Sequence, residues 1–152
     1  MTVCGGAVAG VRESYLRVAP VSARAVVRGG GRAGGVPGRR RGGGAEHPDT
    51  LTARGNLAFY TGEAGDAAGA GDQLAALLPV IERVSGAEHP ETLTARGSLA
   101  FWTGEAGDAA GARDQFAALL PVIERVLGAE HPETLTARDN LARWTRLAQN
   151  PE

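Results

Sequence analysis

Between residues 44 and 85 the apolar side chains fall into two stripes of helical spacing. In the first, Ala53, Leu57, Tyr60 and Ala64 step by four, three and four positions, which places them on one helix face. Gly62 and Gly65 break this run. Asp66 then suits an N-cap, and Ala67, Ala70, Leu74, Leu77, Leu78, Ile81 and Val84 form a second stripe. His47-Pro48-Asp49 precedes the first stripe. Pro48 fits a first helical position, where a missing N–H costs nothing, and Asp49 complements the helix dipole. Gly86 follows the second stripe, where a helix end favours glycine. The pattern predicts helix–turn–helix, with helices of roughly 15 and 19 residues. Pro79 falls inside the second helix, where it removes a backbone hydrogen bond and is expected to bend the helix.

The whole unit then recurs. Residues 44–85 and 86–127 differ at six of 42 positions: Asp49/Glu91, Asn56/Ser98, Tyr60/Trp102, Gly71/Arg113, Leu74/Phe116 and Ser85/Leu127. A third copy starts at Gly128 and runs out near Ala148. Pro121 repeats Pro79, so the proline belongs to the design of the unit. Neither helix can bury its stripe alone, so neighbouring units must stack. A fixed period of this length predicts an all-α helix-turn-helix repeat solenoid, and no strand pattern competes with it.

These residues resemble the tetratricopeptide repeat, in the 42-residue form of kinesin light chains. The resemblance rests on Asn56-Leu57-Ala58 in the first helix, Gly65 at the turn, Ala70 and Leu74 in the second helix, and the link Gly86-Ala87-Glu88-His89-Pro90. It covers Gly44–Ala148. Two departures stand out. Leu77 occupies a position where the family usually has a small residue, and Gly55 and Gly97 stand where related bacterial repeats usually carry Asn. The resemblance implies a tetratricopeptide-like superhelix and a non-enzymatic scaffold that binds a protein or peptide on the concave face lined by the first helices. By position, the residues implied there are Thr52, Gly55, Asn56, Phe59 and Glu63, then Thr94, Gly97, Ser98, Phe101 and Glu105, then Thr136, Asp139, Asn140 and Arg143. Phe59 and Phe101 beside the glycine gaps are expected to form apolar pockets, or to pack within the stack, with Asn56 and Asn140 on a peptide backbone. Arg54, Arg96 and Arg138 form a row that would attract carboxylates.

Residues 1–43 belong to the pattern in part. Gly6–Glu13 aligns with Gly107–Asp114, Tyr15 with Phe116 and Pro20 with Pro121. Residues 1–27 are therefore expected to carry a degenerate second helix of a preceding repeat. Residues 28–43, rich in Gly and Arg, are expected to be a disordered linker. Repeats 44–85 and 86–127 follow, and 128–152 supplies a half repeat. In that half repeat Phe101 gives way to Arg143, Gly104 to Arg146 and Gly97 to Asp139. Such polar substitutions suit an exposed cap, or a slice cut from a larger array whose end faces would self-associate into a homo-oligomer.

Composition narrows the chemistry. The 16 basic residues are all Arg. Without Lys there is neither a Walker-type phosphate loop nor Schiff-base catalysis. High Ala, Gly and Arg point to a GC-rich coding sequence of actinobacterial type. Residues 1–43 carry eight Arg against one acid, and residues 44–152 eight Arg against 16 acids, giving local nets of +7 and −8. Such opposed charges interact only at short range in physiological salt. Cys4 is alone, so no intramolecular disulfide is expected. No signal peptide or membrane span is evident, which leaves a cytoplasmic location as the default.

His47, His89 and His131 recur before Pro, but a shared metal needs ligands about 2 Å from one ion. Packed helices lie roughly 8–10 Å apart, so these histidines are expected to serve helix starts and packing. Gly29–Gly34 fits G-x-G-x-x-G, yet Val36-Pro37-Gly38 precludes the helix a dinucleotide needs. The Arg/Gly segment allows a nucleic-acid tether through phosphate contacts, but no aromatic between Tyr15 and Phe59 offers stacking, so nucleic acid is not the expected partner. No nucleophile has a base and an orienting acid placed with it, and no enzyme activity, cofactor or metal is expected. Asp72, Glu82, Glu63 and their copies are expected on solvated faces, and Tyr60, Trp102 and Trp144, which share one repeat position, in the core.

Overall fold

The computed structural model describes residues 44–150. The expectations for 1–27 and 28–43, including the nucleic-acid tether, lie outside the described residues. Among the described residues five helices alternate with short turns: α1 (Pro48–Glu63), α2 (Ala67–Ser85), α3 (Pro90–Glu105), α4 (Ala109–Leu127) and α5 (Pro132–Gln149). Among the described residues there is no strand. Each helix packs on its neighbours in sequence, and α3 also touches both α1 and α5. The result is an all-α helical repeat solenoid.

The helix ends repeat with the sequence. His47, His89 and His131 are N-caps: each Nδ1 accepts the backbone N–H of the residue two further on, at 3.1, 3.3 and 3.2 Å. Asp66 and Asp108 cap α2 and α4 by accepting from Gly69 and Gly111 N–H at 2.8 Å. A Cβ at either glycine would run into the capping carboxylate, so cap and glycine form one unit. Gly65 and Gly107 turn the chain at φ 106° and 108°, and Gly86 and Gly128 close α2 and α4 at φ 102° and 99°. L side chains rarely adopt this region, which fixes glycine at all four corners. Both long helices continue through Pro79 and Pro121.

Within the first unit Ala58 on α1 and Ala70 on α2 are both fully buried, as are Ala100 and Ala112 at the same positions of the second. Such small residues let two helix backbones come close. Leu51, Leu77 and Ile81 form the core below them, with Val80 and Ala95 packed alongside. Leu77 lies 4.0 Å from where a Cβ at Gly55 would stand. The large residue on α2 thus packs toward the position emptied on α1, which accounts for both departures from the usual pattern together.

Gly62 does not break α1. It lies inside the helix and is buried, because the next unit needs its bare backbone. The Trp102 ring sits where a Cβ at Gly62 would be, 2.6 Å away, and the Trp144 ring stands 2.5 Å from a Cβ at Gly104. Trp102 and Trp144 are core residues as expected, at 3% and 2% exposure, but Tyr60 is not: it is 63% exposed. The same repeat position is buried only where a preceding first helix offers the glycine to cover it.

Candidate functional site

The first helices α1, α3 and α5 share one face, and an aromatic ladder runs along it. Phe59 meets Trp102 edge-on at 5.8 Å, Phe101 meets Trp102 at 5.0 Å, and Phe101 meets Trp144 at 6.4 Å. Each contact is T-shaped, the geometry that sets a ring's positive edge against another's negative face. At the far end Arg143 lies over Trp144, with its guanidinium carbon 4.2 Å from the ring centroid, and 6.0 Å from that of Phe101. It also contacts Glu105 at 2.7 Å. That contact is an ion pair by distance, yet Glu105 Oε1 makes no hydrogen bond of normal geometry and Arg143 Nη1 has no partner. Charge attraction at this distance does not depend on hydrogen-bond alignment. Arg143 is therefore not a solvated cap residue. Trp102 Nε1, Trp144 Nε1 and Asn140 Oδ1 are likewise buried without hydrogen-bond partners among the described residues.

The residues expected on this face do not share one role. Thr52 and Thr94 serve stacking: Thr52 Oγ1 donates to Glu91 Oε1 at 2.9 Å, and Thr94 donates to Glu133 in the same way. Phe101 and Asn140 are buried, Phe101 at 4% exposure, so the pocket expected beside Phe101 is filled by its own neighbours. Asn140 Nδ2 donates back to Thr136 O at 2.9 Å. Ser98, half-buried, spends its hydroxyl on Thr94 O at 3.0 Å, while Asp139 is exposed. Asn56, Phe59 and Glu63 are all half-buried. Their spacing of three and four puts them on one side of α1.

The arginine row behaves differently from its sequence reading. Glu82 Oε1 accepts from both Arg96 Nε and Nη2, at 2.9 and 2.5 Å. Glu124 receives Arg138 identically, at 2.9 and 2.5 Å. These part-buried pairs tie each second helix to the first helix of the next unit, so Glu82 and Glu124 are not on merely solvated faces. Arg96 and Arg138 are not available to outside carboxylates. Arg54, at the same repeat position, is exposed and makes no ion pair among the described residues.

A further pair closes each unit. Arg83 forks onto Glu46, with Nη1 to Oε2 at 2.9 Å, and Arg125 onto Glu88, with Nη1 to Oε2 at 3.0 Å. The hydrogen bonds and charge of the two guanidiniums hold the Glu46 and Glu88 carboxyls below their ordinary pKa. Both pairs are exposed.

Among the described residues no group of three or more His, Cys, Asp or Glu is placed to hold a metal ion. No helix among them is long and apolar enough to cross a membrane. A family model described as tetratricopeptide repeat matches residues 50–91 and 92–133. No curated protein matches the chain.

Proposed function

We propose that this chain, which belongs to the tetratricopeptide repeat family, holds a peptide segment of a protein partner against the face shared by its first helices. Repeats of this family make protein–protein interaction scaffolds in general, and the finer assignment rests on one observation. The aromatic ladder reaches the surface through Phe59, a half-buried ring that also meets the exposed Tyr60 edge-on at 5.8 Å, with the half-buried Asn56 and Glu63 on the same side of α1. An apolar ring flanked by an amide and a carboxylate suits an extended segment: a side chain seats on the ring, and its backbone meets the amide. The deeper rungs, Phe101 and Trp102, stiffen this surface from beneath. Thr52, Thr94, Ser98, Glu105, Asn140 and Arg143 shape it without presenting a comparable open ring.

Selection of linear peptides from a displayed library against the full chain supplies a ligand for the test. Phe59→Ala should weaken its binding by roughly tenfold or more, the effect expected of an aromatic anchor. Full affinity in a folded Phe59→Ala protein would sink the assignment. Phe101→Ala does not serve here, because it empties the core.

A further inference from the structure

Each junction between units is built from the same three contacts. An indole of the incoming first helix covers a glycine: Trp102 on Gly62, then Trp144 on Gly104. An arginine of the same helix pairs with a glutamate of the preceding second helix: Arg96 with Glu82, then Arg138 with Glu124. A buried threonine near its start donates to the glycine carbonyl closing that second helix. Thr92 reaches Gly86 O at 2.7 Å, and Thr134 reaches Gly128 O at 2.6 Å.

α1 carries the incoming half of this set complete. Tyr60, Arg54 and Thr50 occupy the positions of Trp102, Arg96 and Thr92. None of the three makes its junction contact among the described residues, and Tyr60 and Leu57 are 63% and 62% exposed. Leu99 and Leu141, the counterparts of Leu57, are half-buried.

Among the described residues the receiving half is already occupied or altered. In a second copy, Gly104, Glu124 and the Gly128 carbonyl are already taken by α5. α5 itself has Arg146 where Gly62 and Gly104 stand. Any Cβ there occupies the space that an incoming ring needs, as the 2.5–2.6 Å approaches at the two glycines show. Residues 1–43 align only with a turn and a second helix, and carry Ala23 where Glu124 stands.

We propose that the outer face of α1, formed by Thr50, Arg54, Leu57 and Tyr60, docks onto the closing face of a tetratricopeptide unit in a different polypeptide. That unit carries glycine near the end of its first helix and glutamate on its second. Within residues 44–150 this docking is open at α1, and Arg146 prevents the same step at α5. Continuity with the two internal junctions defines the geometry, and the Arg54 cation, which makes no ion pair among the described residues, defines the charge the partner must bring.

The probe is a synthetic peptide of residues 86–128, labelled and added to the full chain. It carries Gly104, Glu124 and the Gly128 carbonyl with no α5 upon them. Saturable binding with a gain of helical circular dichroism is expected. Tyr60→Ala and Arg54→Glu in the full chain should each weaken it about tenfold or more. The peptide variant Glu124→Arg should restore binding to the Arg54→Glu chain. Failure of the unaltered peptide to bind or gain helix overturns the proposal, as does binding that Tyr60→Ala and Arg54→Glu leave intact. The latter outcome would mean that the peptide replaces an internal unit. Tyr60 meets the Phe59 ring edge-on at 5.8 Å, so the Arg54→Glu loss and its rescue by Glu124→Arg, which leave both rings in place, separate this outcome from the peptide-binding assignment.

Discussion

At Gly62 and Gly104 the missing Cβ lets an indole lie against the helix backbone of the unit before it. Gly104→Ala should push Trp144 out of place and destabilise the protein by about 1–3 kcal/mol, the usual cost of overpacking. Gly71→Ala should do the opposite. Nothing stands within 4 Å of a Cβ at Gly71, so alanine there gains helix propensity, up to about 1 kcal/mol. Urea denaturation of the two variants checks the signs; a neutral Gly104→Ala would mean that the indole is not seated on this glycine. The sequence shows these glycines but not their purpose. Helical periodicity compares residues a few positions apart, whereas Gly62 meets a ring 40 residues on. One signal was available: the column Gly62, Gly104, Arg146 runs beside the aromatic column Tyr60, Trp102, Trp144. Read together, they mark a ring-and-hole pair that α5 discontinues. For Phe101 the sequence left a pocket and packing within the stack both open, and the Trp144 ring from the next unit, with Trp102 beside it, decides for packing.

At the scale of the element, helix starts and stops were legible because capping is local. Pro48, Asp66, Gly65 and Gly86 lie where their backbone demands place them. The links between elements were less so. Glu82 and Glu46 look alike in sequence, but Glu82 joins two units in a part-buried pair and Glu46 closes one unit at the surface. The surface pairs give a pH dependence of definite sign. Glu46 and Glu88 have pKa values lowered from the ordinary 4.5, first by the hydrogen bond from Arg83 or Arg125. A carboxyl lowered in the folded state contributes stability above its unfolded pKa and loses it as pH falls through the folded value. Melting temperature should therefore drop below about pH 4.5 more steeply in the parent than in an Arg83→Gln/Arg125→Gln variant. The difference should shrink in high salt, because both pairs are exposed. Parallel pH profiles would show that the forks contribute nothing.

At the scale of the molecule, stability in a repeat array is a sum of unit terms and nearest-neighbour terms. The period made the architecture legible from the sequence, since a unit that cannot bury its own stripe must stack. The distribution of cooperativity was not legible, because it depends on what each helix touches. Here α3 is the shared element: it packs on α2 and α4 and touches α1 and α5. The two indoles provide one probe for each side of it. Trp102 reports the junction with the first unit and Trp144 the junction with α5. Loss of either junction strips a flank of α3, whose Arg96 pair faces α2 and whose Gly104 faces Trp144. The two junctions should therefore melt together. Trp102→Phe and Trp144→Phe leave single-indole proteins, and their fluorescence melts test this. Each should coincide with the far-ultraviolet circular dichroism melt of the same variant. If the remaining Trp144 signal in Trp102→Phe instead fell several degrees before the helix signal, α5 would be unfolding by itself. The nearest-neighbour coupling through α3 would then be weaker than the repeated arginine, threonine and indole contacts imply.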